Sequence, residues 1–352
     1  MKKFTILSHQ TIREALLKID KNGKKSLIVI DKKNKLIGTI SDGDIRRHIL
    51  KNNSLNYKIS KIYNKEPHYL FEKDANKKMI YKKFNTDDVL ILPVINSKFI
   101  LKKIITDDNL NTEVVIKKKT RIPALIMAGG LGKRLDPFTR ILPKPLIPIN
   151  DKPIIEVIIK QFINNGFDKI YVSLNYKADL IVSVLNQIEK KFYKKIFFVK
   201  EKKQLGTAGS INLIKNKIKD LLFVSNSDTL IDLPYQEVIK YHKLKDLDLT
   251  IISSIKNFTI QYGVSTLNEN GLLKKITEKP SNDYLVNIGI YLINKKVINL
   301  LDKDKKIDFT DVIKMALDNN LRVGVFPVSD SSWQDIGDWS NYRKNSSLNI
   351  DF

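Results

Sequence analysis

Residues 123–149 read PALIMAGGLGKRLDPFTRILPKPLIPI, and the reading of this stretch decides the fold and the chemistry. The apolar run 124–128 predicts a buried strand. It empties into Gly129-Gly130-Leu131-Gly132, with Lys133 and Arg134 directly behind. Twelve residues after Gly132 stands Lys144, held between Pro143 and Pro145. Glycines let backbone N–H groups approach an anion closely, and the cations neutralise it. The segment is built to hold a polyphosphate.

Two familiar phosphate loops do not fit. A Walker A loop needs a glycine where Met127 stands, and Ser or Thr where Arg134 stands. The dinucleotide fingerprint is met at Gly130 and Gly132, but Leu135 replaces its third glycine. Two glycines alone would mark an ordinary strand-to-helix turn. Arg134, the Pro-Lys-Pro at 143–145 and the spacing between them go beyond that. The segment resembles the signature of sugar-1-phosphate nucleotidyltransferases, G-G-x-G-x-R-L followed by P-K-P. Many members carry Thr where this chain has Lys133, a departure that adds charge and keeps the pattern.

The 352 residues suggest two domains or one large one. The formal charge of +24 invites a nucleic-acid reading, but only eight of the 62 basic residues are arginines. The lysines are spread over every part of the chain, whereas a nucleic-acid binder concentrates Arg and aromatics on one element. No nucleic-acid partner is expected. With no cysteine there is neither disulfide nor thiolate chemistry. The first residues, MKKFTILSHQTIREALL, lack the apolar core of a signal peptide, and no apolar run approaches a membrane span. A soluble, cytoplasmic chain without a membrane partner is the expectation.

Residues 1–116 have another texture. Ser8–Asn22 predicts a capped amphipathic helix with Ile12, Ala15, Leu16 and Ile19 on one face. Strands follow at Ser26–Ile30 and Leu36–Ile40, then a helix from Asp42. The order recurs more faintly: a helix at Asp74–Phe84, strands at Val89–Val94 and Phe99–Ile104, and a helix start at Thr106-Asp107-Asp108. LIVIDKKNKLIGTISDGDIRRHIL, residues 27–50, resembles a CBS module, and the recurrence makes a tandem pair with a degenerate second copy. In that family a Gly-x-x-Ser/Thr-x-x-Asp segment binds adenine nucleotides. Gly38, Ser41 and Asp44 match it, so an adenine nucleotide at the pair is implied through Ser41 and Asp44. The second copy reads Lys103, Thr106 and Asn109. Bracing or dimerising the chain is the competing role. The lone His48 is expected at the surface. A charged linker at 117–121 leads into the second domain, 122–352.

In that domain strands and helices alternate. Strands are expected at Leu125–Met127, Lys169–Leu174, Ile196–Val199 and Leu221–Ser225. Helices are expected at Ile154–Asn165 and Asp179–Glu189, with another beginning at Thr207-Ala208-Gly209. Such alternation predicts a mainly parallel sheet covered by helices, with ligand beyond the carboxyl ends of the strands. The resemblance implies an α/β, Rossmann-like (GT-A-type) nucleotidyltransferase domain preceded by the α+β CBS pair.

Four further segments resemble the same family. In Leu205-Gly206-Thr207-Ala208-Gly209-Ser210, small residues would let base and ribose lie on backbone, with Thr207 as a polar contact and Gln204 reading the base. The apolar strand from Leu221 ends at Asp228, which matches the family's metal-binding Asp. Glu278-Lys279-Pro280 resembles the element that holds the sugar phosphate, the Lys on phosphate and the Glu on sugar hydroxyls. Asn287 and Gly289 follow as neighbours, the glycine leaving room for the sugar ring. Trp333-Gln334-Asp335-Ile336-Gly337 resembles the element that supplies a second metal carboxylate, here Asp335; Asp338 is expected to cap the last helix.

The resemblance implies one reaction: a sugar 1-phosphate oxygen attacks the α-phosphorus of an NTP, and pyrophosphate leaves. The nucleophile is already an anion, so positioning and charge must carry catalysis. Ala128, Gly129, Gly130 and Gly132, with Gly206, Thr207 and Gly209, would bind the nucleotide. Arg134 would hold the β- and γ-phosphates and Lys144 the α-phosphate. Mg²⁺ would sit on Asp228 and Asp335. VSLNYKADLI, DLTIISSIKNFTIQYGV and SSWQDIGDW resemble the glucosamine-1-phosphate guanylyltransferases of legionaminic acid biosynthesis, enzymes of surface-glycan supply. A heptose or mannose 1-phosphate guanylyltransferase, or a uridylyl or thymidylyl enzyme, shares the motif set. A non-catalytic nucleotide-sensing scaffold is the alternative of another class, and a homo-oligomer is expected.

Overall fold

A computed structural model describes residues 2–52, 55–86, 89–106, 120–149, 151–187, 195–231, 233, 235–303 and 305–337. The chain divides into two compact units. One comprises 1–116, 256–284 and 328–331; the other comprises 117–255, 285–327 and 332–352. Among the described residues no helix is long and apolar enough to cross a membrane.

The first unit begins with two small sheets of the same design. Strand β1 (Thr5–Leu7) runs parallel to β2 (Ser26–Ile30), which pairs antiparallel with β3 (Leu36–Ser41). Strand β4 (Leu70–Phe71) runs parallel to β5 (Ile91–Ile95), which pairs antiparallel with β6 (Leu101–Thr106). The registers also correspond: Val29 faces Gly38 as Val94 faces Lys103, and Ser26 faces Ser41 as Ile91 faces Thr106. Ile28, Ile30 and Leu36 of one sheet share a core with Ile91, Ile95 and Leu101 of the other.

Local chemistry sets the helix ends. The first helix starts at Ile12, not near Ser8, because Thr11 and Glu14 form a reciprocal capping box. The Thr11 N–H donated to the Glu14 carboxylate, at 2.7 Å, holds that carboxyl below its usual range. Gly23 in the left-handed region, φ 66°, closes the helix. The helix Asp42–Asn52 is capped by Ser41 and Asp44: the Ser41 hydroxyl donates to Asp44 Oδ2 at 2.7 Å and accepts from the Asp44 N–H at 3.2 Å. Asp44 Oδ1 takes Arg47. Both of these residues of the implied nucleotide motif thus also serve the start of their own helix. Gly38 lies under the Asn64 carbonyl and the Tyr63 ring, and Thr39 is bridged to Asn64. His48 is buried, not superficial, and packs on Tyr57 with ring centroids 4.6 Å apart. In the second copy the helix runs Lys77–Thr86, later than expected, and Thr106 ends β6. Asp107, Asp108 and Asn109 lie outside the described residues.

The second unit is organised by a seven-stranded sheet. Its strands are β7 (Ala124–Met127), β10 (Ile170–Leu174), β11 (Ile196–Lys200), β12 (Leu221–Asn226), β14 (Leu249–Thr259), β17 (Ser281–Asn294) and β18 (Val323–Ser329). Short ribbons pair β8 (Pro148–Ile149) with β9 (Lys152–Pro153) and β13 (Thr229–Ile231) with β19 (Trp333–Asp335); a further ribbon, β15 (Val264–Leu267) with β16 (Leu273–Thr277), falls in the 256–284 part of the first unit. The order is β11-β10-β7-β12-β17-β14-β18. The first four strands are parallel, and β17 reverses against β12. Ala124, Leu125 and Ile126 are fully buried, as an unbroken apolar run in a covered sheet requires. Register brings the carboxyl ends together: Met127 faces Ser173 on one side and Asn226 on the other.

The helix Ile154–Asn164 buries Ile154, Ile155, Ile158, Ile159 and Phe162. The next helix runs Ala178–Leu185, and the expected end near Glu189 falls outside the described residues. No α-helix begins at Thr207. A 3₁₀ run starts at Gly209, because the preceding backbone is bonded elsewhere: the Ala208 N–H donates to Ile307 C=O at 2.9 Å. Below the sheet His242 is buried, its Nδ1 2.7 Å from the Thr250 hydroxyl and its Nε2 without a hydrogen-bond partner among the described residues. Burial lowers its pKa to about 4, and Asp248 and Asp220 only partly offset this. The unfolded chain then binds the extra proton between pH 6.5 and 4, so stability is full above that window and is lost as pH falls through it. The expected loss is on the order of 3 kcal/mol. Melting temperatures of wild type and His242→Asn should converge as pH drops across the window; parallel curves would contradict this assignment.

Candidate active site

A cavity of about 470 Å³ opens beyond Met127. Its walls are the glycine loop with Lys133, Arg134 and Lys144, the end of β12 through Asp228, Glu201, and the strap Gln204–Thr207 with Lys306. Four cations face two carboxylates, which favours an anionic ligand.

The loop geometry follows from Gly132. Its φ of 69° is left-handed, and a Cβ there would meet Lys144 Cβ and Thr139 Cγ2, each at 2.9 Å. This close approach seats the Pro-Lys-Pro turn against the loop. Leu135, Pro145 and Leu146 are buried and anchor both segments from below. Lys144 reaches Asp228 as an ion pair, with side chains 13% and 9% exposed. Arg134 Nη2 stands 3.8 Å from the same carboxylate and is open to solvent.

Asp335 arrives by a route that no local motif reveals. The antiparallel ribbon β13–β19 pairs Thr229 with Asp335, and the Ile336 N–H donates to Asp228 C=O at 3.1 Å. At Gly337 a Cβ would meet Asp335 Oδ1 at 2.7 Å, Asp228 Oδ2 at 2.9 Å and Arg134 Nη2 at 3.0 Å. Two carboxylate oxygens thus converge within 3 Å of one point. A pair of hard carboxylate oxygens is a donor set that fits Mg²⁺; Asp335 Oδ1 also accepts from the Gly337 N–H at 2.7 Å. Among the described residues no group of three or more His, Cys, Asp or Glu could hold a metal ion, so this pair stands without a third such side chain.

Several candidate residues have tasks other than the expected ones. Ala128 is buried beneath the loop, and Gly209 is packed against Lys305 C=O instead of lining the cavity. Thr207 does line it, but its hydroxyl donates to Asp308 Oδ1 at 3.1 Å and accepts from the Phe309 N–H at 3.0 Å, serving the helix Phe309–Asp318. The space beside Gly289 is taken by the Asn226 side chain, not left open for a ring. Asn287 donates to the Tyr291 hydroxyl at 2.9 Å and accepts from the Gly289 N–H at 3.0 Å, fixing that turn. Glu278 and Lys279 belong to the other compact unit, with Lys279 at φ 42°, a strained value for a residue with a Cβ. Asp338 and Trp339 lie outside the described residues.

Glu201, Asn226 and Lys306 line the cavity and were not signalled by sequence. Glu201 is buried at the end of β11, beside Gly129, and accepts from the Leu205 N–H at 3.3 Å. Burial pushes its carboxyl upward, with the Leu205 hydrogen bond opposing.

Comparison with known proteins places this geometry in a family. The nucleotidyl transferase family model matches residues 123–350, and the CBS domain model matches residues 1–51. Mannose-1-phosphate guanylyltransferase 1 of Arabidopsis thaliana is 32% identical over 237 residues, covering 65% of this chain and 64% of that protein. The chain thus spans less than two thirds of that relative's length. The crystal structure of HddC from Yersinia pseudotuberculosis superposes with a TM-score of 0.51 at 28% identity, covering 64% of this chain and 98% of HddC. The same protein complexed with GMP-PN gives 0.51 at 26% identity, with the same coverage of both chains. The chain belongs to the nucleotidyl transferase family, with a CBS domain in its first residues.

Proposed function

We propose that the chain transfers the guanylyl group of GTP to glucosamine 1-phosphate, releasing pyrophosphate and giving a GDP-sugar for surface-glycan, legionaminic-type synthesis. The observation that carries the reaction is the Gly132–Lys144–Asp228 contact at the carboxyl end of β7. It joins a phosphate loop, a buried-side lysine and a carboxylate at one point. The loop N–H groups cradle the triphosphate, and Arg134 neutralises the β- and γ-phosphates that leave. Lys144 turns from Asp228 to the α-phosphate, where charge builds as the sugar phosphate oxygen attacks. Mg²⁺ on Asp228 and Asp335 would offset the charge of the triphosphate. Lys279 and Glu278 are assigned to the sugar phosphate through their motif.

GTP is favoured by the relative named as a guanylyltransferase and by Glu201. Guanine offers adjacent N1–H and N2–H₂ donors, and a carboxylate accepts both. Uracil and thymine offer a single N–H between carbonyls, which suits an amide. Glu201→Gln is therefore expected to cut kcat/KM for GTP about tenfold or more while sparing UTP. Equal losses for both would remove Glu201 from base reading.

The test of the whole proposal is a matrix of four NTPs against glucosamine, mannose, heptose and glucose 1-phosphates, scored as pyrophosphate. GTP with glucosamine 1-phosphate should be fastest. A faster rate with mannose or heptose 1-phosphate would replace the sugar, and a faster rate with another NTP would replace the base.

A further inference from the structure

We infer that Lys306 is a specificity-determining residue that donates to the carbonyl O6 of guanine, so that the base is read from both sides of one strap. This rests on the GTP reading above. The segment around Lys306 is bonded to the strap backbone. The Ile307 N–H donates to Leu205 C=O at 2.9 Å, and the Ala208 N–H donates to Ile307 C=O at 2.9 Å. Gly206 admits this contact, since a Cβ there would meet Ile307 O at 2.5 Å. Ile307 is buried in the core, whereas its neighbour Lys306 is exposed and lines the cavity.

Among the described residues none forms an ion pair with Lys306, in contrast to Lys305, which pairs with Asp302 at 2.7 Å. Its charge is thus available to a ligand. Its place distinguishes it from the other cavity cations. Lys133, Arg134 and Lys144 belong to the phosphate loop and its Pro-Lys-Pro turn, and Lys306 alone of the lining cations belongs to the strap. The Leu205 N–H donates to Glu201, and the Leu205 C=O accepts from the Ile307 N–H, so Glu201 and the Lys306–Ile307 segment are both tied to one strap residue. Guanine presents the complementary order, N1–H and N2–H₂ followed by O6. Adenine presents N6–H₂ where guanine has O6, and an ammonium there is repelled.

The experiment compares wild type, Lys306→Met and Lys305→Ala on GTP, UTP and 2-aminopurine riboside triphosphate, which lacks O6. Lys306→Met is expected to lower kcat/KM for GTP about tenfold or more, and to leave the 2-aminopurine nucleotide within about twofold. Lys305→Ala should leave the ranking unchanged. Thermal melting of Lys306→Met should match wild type, because the side chain is exposed. A uniform loss over all three nucleotides would make Lys306 a phosphate contact and overturn the assignment, as would an unchanged rate with GTP. If wild type itself favours UTP over GTP, the GTP reading falls first, and that outcome is visible before any variant is compared.

Discussion

Asp228→Asn is expected to lower pyrophosphate release by about 10³-fold while the protein still folds. The substitution is isosteric, and the amide oxygen can still accept from Lys144. What is lost is the charge. Among the described residues Asp228 is the carboxylate that meets Lys144, Arg134 and the converging oxygen of Asp335. Removing it withdraws one of two oxygens from the proposed Mg²⁺ position. The Mg²⁺ concentration for half-maximal rate should rise, and the rate should stay low at saturation. Turnover within tenfold of wild type would show that Asp228 does not carry the reaction.

Lys144→Ala should cost both rate and stability. Lys144 is largely buried against Asp228, so truncation leaves the buried carboxylate with only the solvent-exposed Arg134, 3.8 Å away, a loss of about 3 kcal/mol. Catalysis should fall about 10²–10³-fold, mainly in kcat, because the lysine meets charge that grows only in the transition state. Adding Asp228→Asn to Lys144→Ala should restore part of the melting temperature, since the buried charge is gone. A double variant as unstable as the two losses combined would mean that the residues do not act as a pair.

The phosphate loop was legible because its chemistry needs residue types that are rare in combination. Glycines beside Arg134 and a lysine between prolines have few other uses. The parallel half of the sheet was legible from apolar runs such as Leu221–Ser225. The reversal at β17 was not, since pairing direction leaves no mark on composition. Asp228 and Asp335 each stood in a motif, but their meeting depends on the β13–β19 ribbon, a long-range pairing. The strap lines the cavity at Gln204–Thr207, and part of its composition has an internal reason. Its small residues read as space for a ligand, and Gly206 and Gly209 also admit the chain's own 305–308 segment. Ser41 and Asp44 match a ligand motif and a helix cap equally well in sequence, and the structure shows the cap hydrogen bonds. Glu201 and Lys306 had no signal, because each matters only through the backbone to which Leu205 is bonded.

The most direct test of nucleotidyl transfer follows the α-phosphorus. The full chain is incubated with Mg²⁺, a sugar 1-phosphate and GTP labelled at the α-phosphate, and the products are separated. The account predicts label in a GDP-sugar and one unlabelled pyrophosphate for each transfer. Label in GDP with free phosphate, or label left in GTP with every sugar 1-phosphate offered, would contradict it.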